Sequence, residues 1–568
     1  MATIIGIDLG TSTTEAAIFK DGKPVMILNF DGEAVTPSVV GLDEAGSLIV
    51  GGRAKAQLVM APERTVMEVK RKMGSREKLG LGKQKYTPVE LSSMLLSYIR
   101  RCASQFLDED ICHAVISVPA YFDDTQRKAT VEAGREAGFV VERIINEPTA
   151  AALSYGLGHM DEESHILVYD LGGGTFDVTL LEMFGGVLEV KASSGDNELG
   201  GKDFDQRLID WLADRFEEKN GISLRGDVYA MARLKGEAER CKIELSTCER
   251  VTARIPMIVS KDGGPLALEE EVTRAVFEGL IADLVERTHH PVDVVLGDSN
   301  VSREELDMVL LVGGSTRVPL VAADIGAYLG RQPSEAVNPD FAVAEGAAIQ
   351  AAIIEGRLDG DDSIIMTDVN PYTLGIRAMS DWSMDYMSVI IPRNVTIPVT
   401  RKEIYHTSWD GQDKAEIEVY QGEHRLASRN HCLGRFTVEG IPRAKRGQES
   451  IEVSFSYNQN GMLGVSAVIV STGAKAAVDI NLMDSEAEER VDVSRWREAP
   501  DAGDYRASVR RGERFLKSQD GEAMDEDGRR ELEELLYQIK KAVIDSRLDK
   551  ADALEEEIEQ LIDEYSGE

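Results

Sequence analysis

Two stretches of this chain can be laid on one another without a gap. "IIGIDLGTSTTEAAIF" covers residues 4–19 and "ILVYDLGGGTFDVTLL" covers 166–181; Asp8-Leu9-Gly10 falls on Asp170-Leu171-Gly172, 162 residues further on. In the second stretch Ile166, Val168 and Asp170 alternate going in, and Phe176, Val178 and Leu180 alternate coming out. That pattern is strand, turn, strand, which puts Gly172-Gly173-Gly174 at a hairpin tip. A P-loop would need a GK[ST] ending and a following helix, and a dinucleotide fold would need GxGxxG opening a helix; neither is present here. One glycine tip is ordinary turn chemistry, because glycine tolerates positive φ. The same tip twice, about one domain apart, predicts an internal duplication with two hairpins facing across a cleft.

Bare backbone N–H groups in such tips can cradle phosphate oxygens where no Cβ blocks the approach. The hydroxyls of Thr11, Ser12, Thr13 and Thr175 add donors, and Gly10 opens the first tip. Asp8 and Asp170 suit hydrated Mg2+, a hard cation that favours carboxylates and keeps its waters. A nucleoside triphosphate is the ligand this arrangement predicts.

At 568 residues the chain exceeds one hydrophobic core, so three or more folding units are expected. Lys and Arg total 63 against 100 Asp and Glu, a net charge of −37. That balance disfavours nucleic acid or an anionic membrane as a bulk partner. No run approaches the roughly 18 apolar residues of a membrane helix. The opening "MATIIGIDLG" enters a strand directly, without a basic leader, so a soluble cytoplasmic protein is expected. The five cysteines form no CxxC pair, which argues against a disulfide framework or zinc site. The eight histidines are scattered and suggest no metal cluster.

Through these two stretches and most of the rest, the chain resembles the 70-kDa heat-shock chaperones of the DnaK type. The resemblance is carried in order by "GIDLGTS", "VISVPAYFDDTQRKAT", "RIINEPTAAALSYGLG", "DLGGGTFDVT", "GDNELGGKDFDQRL", "CKIELS", "LVGGSTRVP" and "NPDFAVAEGAAIQAA". The short helical end, "IIMTDVNPYTLGI" and "FSYNQNGMLGVSA" look closest to its HscC branch. The resemblance implies an α/β actin-like ATPase domain of duplicated ribonuclease-H-like halves, then an all-β sandwich and a short α-helical lid. The corresponding boundaries are 1–360 for the ATPase, 361–369 for the linker, 370–484 for the sandwich and 485–568 for the lid.

Residue by residue, the resemblance implies that Lys70, Glu147, Asp170 and Thr175 serve ATP hydrolysis, with Mg2+ as cofactor and K+ as a further candidate. Gly200-Gly201 resemble a third phosphate-side loop, leading into a helix expected to begin near Asp203. Glu239, Lys242 and Ser246 resemble an adenosine clamp, and their spacings of three and four share one helical face. Taken alone, Glu239 and Lys242 read as a solvated ion pair. Gly313, Gly314 and Arg317 resemble the opposite wall of the adenine pocket, and Asp340 its ribose edge. Pro119 and Arg127 resemble an interdomain relay. Arg143, Asn146, Thr149 and Asp368 resemble the surface for a J-domain co-chaperone.

Residues 370 to about 480 read as short strands, with Asn460-Gly461 a strong hairpin signal. Ile376, Met379, Tyr405, Ser408, Ala415 and Ile417 fall where the resemblance implies a groove for unfolded or extended polypeptides. The ordinary reading of each is core filling. Ala415 is smaller than the family's usual valine, and Ser408 is polar where the family is apolar. Before the sandwich, an acidic run precedes Ile364, Ile365 and Met366, a segment able to dock in one state and swing free in another; an edge strand is the competing reading. Thr367 stands where family linkers carry more leucine. From about 485 the chain is helical and charged, with apolar residues at three-to-four spacing in "RRELEELLYQIKKAVI". The resemblance also implies ATP/ADP exchange, with a nucleotide exchange factor as a candidate partner. A small-molecule kinase on the actin fold and an actin-like filament former are the rival readings.

Overall fold

The computed structural model describes residues 2–358 apart from 160, 161, 262, 263 and 335, residues 364–479 apart from 381, 382 and 384, then 496, 502–518, 526–544 and eight positions between 551 and 565. The acidic run before Ile364 and the expected start of the lid at 485 lie outside these residues. The chain parts into two compact units, residues 1–482 and 483–568.

Two sheets dominate the first unit. In one, Ile4–Leu9 runs parallel to His113–Val118 and antiparallel to Thr13–Lys20. In the other, Ser164–Leu171 runs parallel to Met308–Val312 and antiparallel to Phe176–Phe184. The same neighbourhood thus occurs twice, at the two stretches that overlay in sequence. Ile5, Ile7, Leu167 and Val168 are fully buried, as expected of sheets covered by helices on both faces.

Two alanine-rich helices, Glu147–Gly156 and Ala342–Ile354, pack where the halves meet. Their approach is set by missing side chains: a Cβ on Gly346 would sit 1.7 Å from Ala150 O, and one on Gly6 would sit 2.2 Å from Ala348 N. Any larger residue there would force the halves apart.

The strand Ile365–Val369 joins the second sheet, parallel to Val187, Leu188 and Glu189. On its other side it pairs with Thr396–Ile397. The segment read as either a docking element or an edge strand is therefore a paired strand between the second sheet and the strands beyond. Ile364 is buried, whereas Ile365 is exposed.

Two four-stranded sheets follow. One orders Tyr386–Ile391, Leu374–Ala378, Lys414–Gln421 and His431–Glu439; the other orders Val399–His406, Ser450–Tyr457, Leu463–Ile469 and Lys475–Asp479. Leu463–Ile469 alternates buried and half-buried residues, the period of a strand with one face on a core. Val453, Phe455, Val465 and Ala467 lie in that core. The turn between Tyr457 and Leu463 carries Asn460-Gly461, with Gly461 at φ 66°.

The second unit contains the helices Ala502–Phe515 and Glu526–Ile544. Tyr505, Val509, Leu532, Leu536, Ile539 and Val543 share one core there with Ile558 and Ile562.

Candidate nucleotide site

The two hairpin tips meet. A Cβ on Gly173 would lie 2.2 Å from Ser12 Oγ, and one on Gly174 would lie 2.9 Å from Thr11 Cγ2. A third loop closes on them: a Cβ on Gly200 would lie 2.5 Å from Gly174 N. Gly201 N donates to Gly172 O at 2.9 Å and Lys202 N to Gly173 O at 2.9 Å. The helix that follows spans Gly201–Asn220 and so begins two residues before Asp203, the expected start. Asp203 Oδ2 accepts from Gly200 N at 2.8 Å, which makes it a capping acid inside the first turn.

Gly313, at φ 83°, brings the fourth loop against the second hairpin, where a Cβ would lie 2.8 Å from Asp170 Oδ1. Ser315 Oγ donates to Gly172 O at 2.7 Å. Four backbone loops from both halves thus converge at close range, and the Asp8 and Asp170 strands lead into them.

Carboxylates outnumber cations in the cleft. Lys70 is buried and ion-paired to Glu147. Burial disfavours the Lys70 charge, but Glu147 and Asp8 outweigh it and hold its pKa above the ordinary lysine value. Burial pushes Glu147 up to about 7, with Lys70 opposing. Burial, then Glu147, Asp177 and Asp8, drives Asp170 well above the usual carboxylate range. Asp8 is raised by burial and accepts from Ser117 Oγ at 2.8 Å. Such a set is short of positive charge, and Asp8 with Asp170 fits a hydrated cation that needs only one or two carboxylates and a phosphate chain.

Two cleft acids were not singled out from the sequence. Glu15 lies opposite Asp8 on the paired strand, and Asp177 lies opposite Asp170. Both are buried; burial raises Glu15 well above its usual value and Asp177 to about 6. A signal existed, because the offset that lays Asp8 on Asp170 also lays Glu15 on Asp177. Glycine and hydroxyl positions drew attention to the tips instead of to the outgoing strands.

The expected clamp residues follow the helix Val228–Leu245, with Ser246 at its C-cap. Glu239 does not pair with Lys242. It bonds Lys55 across the cleft at 2.9 Å and Lys202 at 3.5 Å, whereas Lys242 bonds Asp205 at 2.7 Å. Burial opposes ionisation of Glu239, but Lys202 and Lys55 outweigh it and bring its pKa to about 2. Arg317 Nη2 donates to Asp340, which joins the two residues expected on the opposite wall. Arg71 to Asp203, at 2.9 Å, also crosses from the first half to the second.

Of the residues expected at the relay and the co-chaperone surface, Arg127, Asn146 and Asp368 form one chain of bonds. Arg127 Nη2 donates to Asn146 Oδ1 at 2.7 Å, and Asn146 Nδ2 donates to Asp368 Oδ2 at 2.8 Å. Arg143 donates to Gln459 at 3.2 Å, and Leu463 N donates to Asp124 Oδ1 at 2.8 Å. Pro119 and Thr149 are buried beneath them. In the sandwich Ile376 and Ile417 belong to the core, Tyr405 and Ala415 pack against it, Met379 is exposed and Ser408 half-buried.

A duplicated fold with two Asp-Leu-Gly hairpins closing over buried acids and one lysine is the arrangement of an actin-type nucleotide-binding domain, here followed by a β-sandwich and helices. The family model described as "Hsp70 protein" matches residues 4–81 and 77–568. The chain belongs to the Hsp70 family. Members of this family are ATPases and chaperones, and they bind ATP or ADP with Mg2+. That membership does not favour a small-molecule kinase or a filament former. No helix among the described residues is long and apolar enough to cross a membrane.

Proposed function

We propose that this chain is an ATP-driven chaperone in which hydrolysis in the cleft controls a polypeptide groove in the sandwich. One observation carries the reading: the strand Ile365–Val369 is hydrogen-bonded into the ATPase-type sheet and also pairs with Thr396–Ile397. Whatever moves the nucleotide lobe therefore pulls directly on the sandwich.

Hydrolysis is a water attack on the γ-phosphorus, breaking the bond to the β–γ bridging oxygen and leaving ADP and phosphate. Positioning and charge stabilisation dominate such a transfer. Lys70 neutralises charge on the γ-phosphate and orients the water. Glu147 or Asp170 takes its proton, and both have pKa values raised by burial toward the range of a working base. Thr175 contacts the γ-phosphate. Asp8 and Asp170 would hold Mg2+, which would supply charge neutralisation along the triphosphate. The amides of Gly10 to Thr13, Gly172 to Gly174 and Gly200-Gly201 cradle the phosphates. Glu239, Lys242, Ser246, Gly313, Gly314, Arg317 and Asp340 hold the nucleoside.

ATP favours the docked arrangement with an open groove, and ADP favours separation and closure. The coupling required is roughly 1–3 kcal/mol. Unfolded or extended segments occupy the groove near Met379, Tyr405, Ser408 and Ala415. A J-domain co-chaperone engages beside Arg143, Asn146 and Asp368, its basic helix drawn to this acidic chain. An HscC-like placement accords with "IIMTDVNPYTLGI" and "FSYNQNGMLGVSA".

The test is ATP turnover by the full chain with and without an unfolded peptide and a J-domain. Stimulation by either is expected. Unchanged turnover with both, or phosphorylation of an added sugar, overturns the proposal.

A further inference from the structure

Tyr121 stands between the cleft and the sandwich. Its backbone N–H donates to Asp177 Oδ1 at 2.9 Å, and Asp177 faces Asp170 on the glycine-tipped hairpin. Its carbonyl accepts from Asn197 Nδ2 at 3.0 Å, three residues before the Gly200-Gly201 loop. The backbone of Tyr121 thus touches supports of two nucleotide loops at once.

The same carbonyl accepts from Tyr372 Oη at 2.7 Å, and the two tyrosine rings lie 4.3 Å apart at 43°. Tyr372 is anchored on the sandwich side. Asn370, fully buried, donates through Nδ2 to Tyr372 O at 2.7 Å and to Pro392 O at 2.9 Å. Thr373, the next residue, is bonded through its N–H and its hydroxyl to Glu423 at 2.8 Å each. The strand Leu374–Ala378 starts immediately after.

We infer that Tyr372 is the positioning residue through which the state of the two phosphate loops is read by the first strand of the sandwich. The inference rests on the function proposed above and assigns one residue to its coupling step. A shift of the Phe176–Phe184 strand reaches Tyr121 through Asp177, and a shift of the Gly200-Gly201 loop reaches it through Asn197. Both converge on the Tyr121 backbone, one at its N–H and one at its carbonyl, and Tyr372 is the sandwich residue bonded to that carbonyl. Asn197 Oδ1 is a buried acceptor with no hydrogen-bond partner beside this junction, which costs the observed arrangement free energy. The Arg127–Asn146–Asp368 chain and the Arg393–Asp298 pair, at 2.7 Å, hold the interface elsewhere, and the hydrogen bonds of neither run to Asp177 or to the loop at Gly200.

The test uses the full chain, a fluorescent unfolded peptide and the variants Tyr372→Phe and Tyr372→Ala. Tyr372→Phe keeps the ring and removes the hydroxyl. Its basal turnover is expected to stay within about two-fold of the parent, while the acceleration of peptide release by ATP falls about ten-fold, the scale of ordinary allosteric coupling. Tyr372→Ala should lose more. A residue that merely supports the fold would lower basal turnover and melting temperature together and leave the ratio of ATP-triggered to spontaneous release intact. Tyr372→Phe with parental coupling, or with basal turnover and coupling reduced in proportion, overturns the inference. Failure of the parent protein itself to release peptide on ATP addition would instead overturn the proposed function.

Discussion

Ser12 Oγ occupies the space that a Cβ on Gly173 would need, 2.2 Å from its ideal position. Two hairpins whose tips lie 161 residues apart in sequence are therefore in contact in space. Gly173→Ala must part them, and ATP affinity is expected to fall at least ten-fold, about 1.4 kcal/mol. Because the obstruction is a side chain, Ser12→Gly in the same protein should recover part of the loss. Equilibrium binding of ATP to the two variants and the double variant checks both statements.

Lys70 is the cation paired to Glu147 inside a cleft of acids. Lys70→Ala should abolish turnover, by roughly 100-fold to 1,000-fold or more, and leave ATP binding. Single-turnover hydrolysis, with nucleotide binding measured alongside, separates the two. Retained single-turnover hydrolysis would refute the assignment.

Asp177 has a folded pKa of about 6 because burial disfavours its charge. The unfolded chain releases this proton near the ordinary aspartate value, close to pH 4. The folded state therefore binds more protons between the two values, and stability declines as pH rises through that window. The loss amounts to about 3 kcal/mol and is complete above roughly pH 6 to 7. Asp177→Asn should flatten this part of the stability curve, read as melting temperature against pH in chelator without nucleotide. An unchanged slope would count against the burial.

Lys55 to Glu239 and Arg71 to Asp203, each at 2.9 Å, tie the first half to the second across the cleft. Lys55 is partly exposed, so its pair is screened by salt. Lys55→Ala is expected to speed ADP release by about two-fold to five-fold, a change on the scale of one modest ion pair. Rising salt should accelerate release in the parent more than in the variant. Stopped-flow displacement of a fluorescent ADP analogue measures it.

Several features of this molecule were readable before any coordinates. The gap-free overlay of residues 4–19 on 166–181 announced both sheets and both tips, because alternation and glycine placement are local properties. The Asn460-Gly461 turn and the alternating strands beside it were equally local. Glu15 and Asp177 were readable by the same overlay, but an acid in a strand has no distinctive signal until its face is known to be a cleft. Lys70 stands in the basic run Lys70-Arg71-Lys72, whose spacing carries no sign of burial, and Glu239 reads by spacing as a helical partner of Lys242.

Sequence by itself determined the duplicated strand–turn–strand units, the net charge of −37 and the small residues at the helix crossing. These follow from side-chain period, net charge and missing Cβ atoms, all properties of neighbours along the chain. Only the tertiary structure decided that Lys70 is buried against Glu147, that Glu239 reaches Lys55 and Lys202, and that Ile365–Val369 adds a strand to the second sheet. Each of those depends on bringing distant segments within a few ångströms, where burial and the nearest opposite charge, rather than spacing, choose the partner.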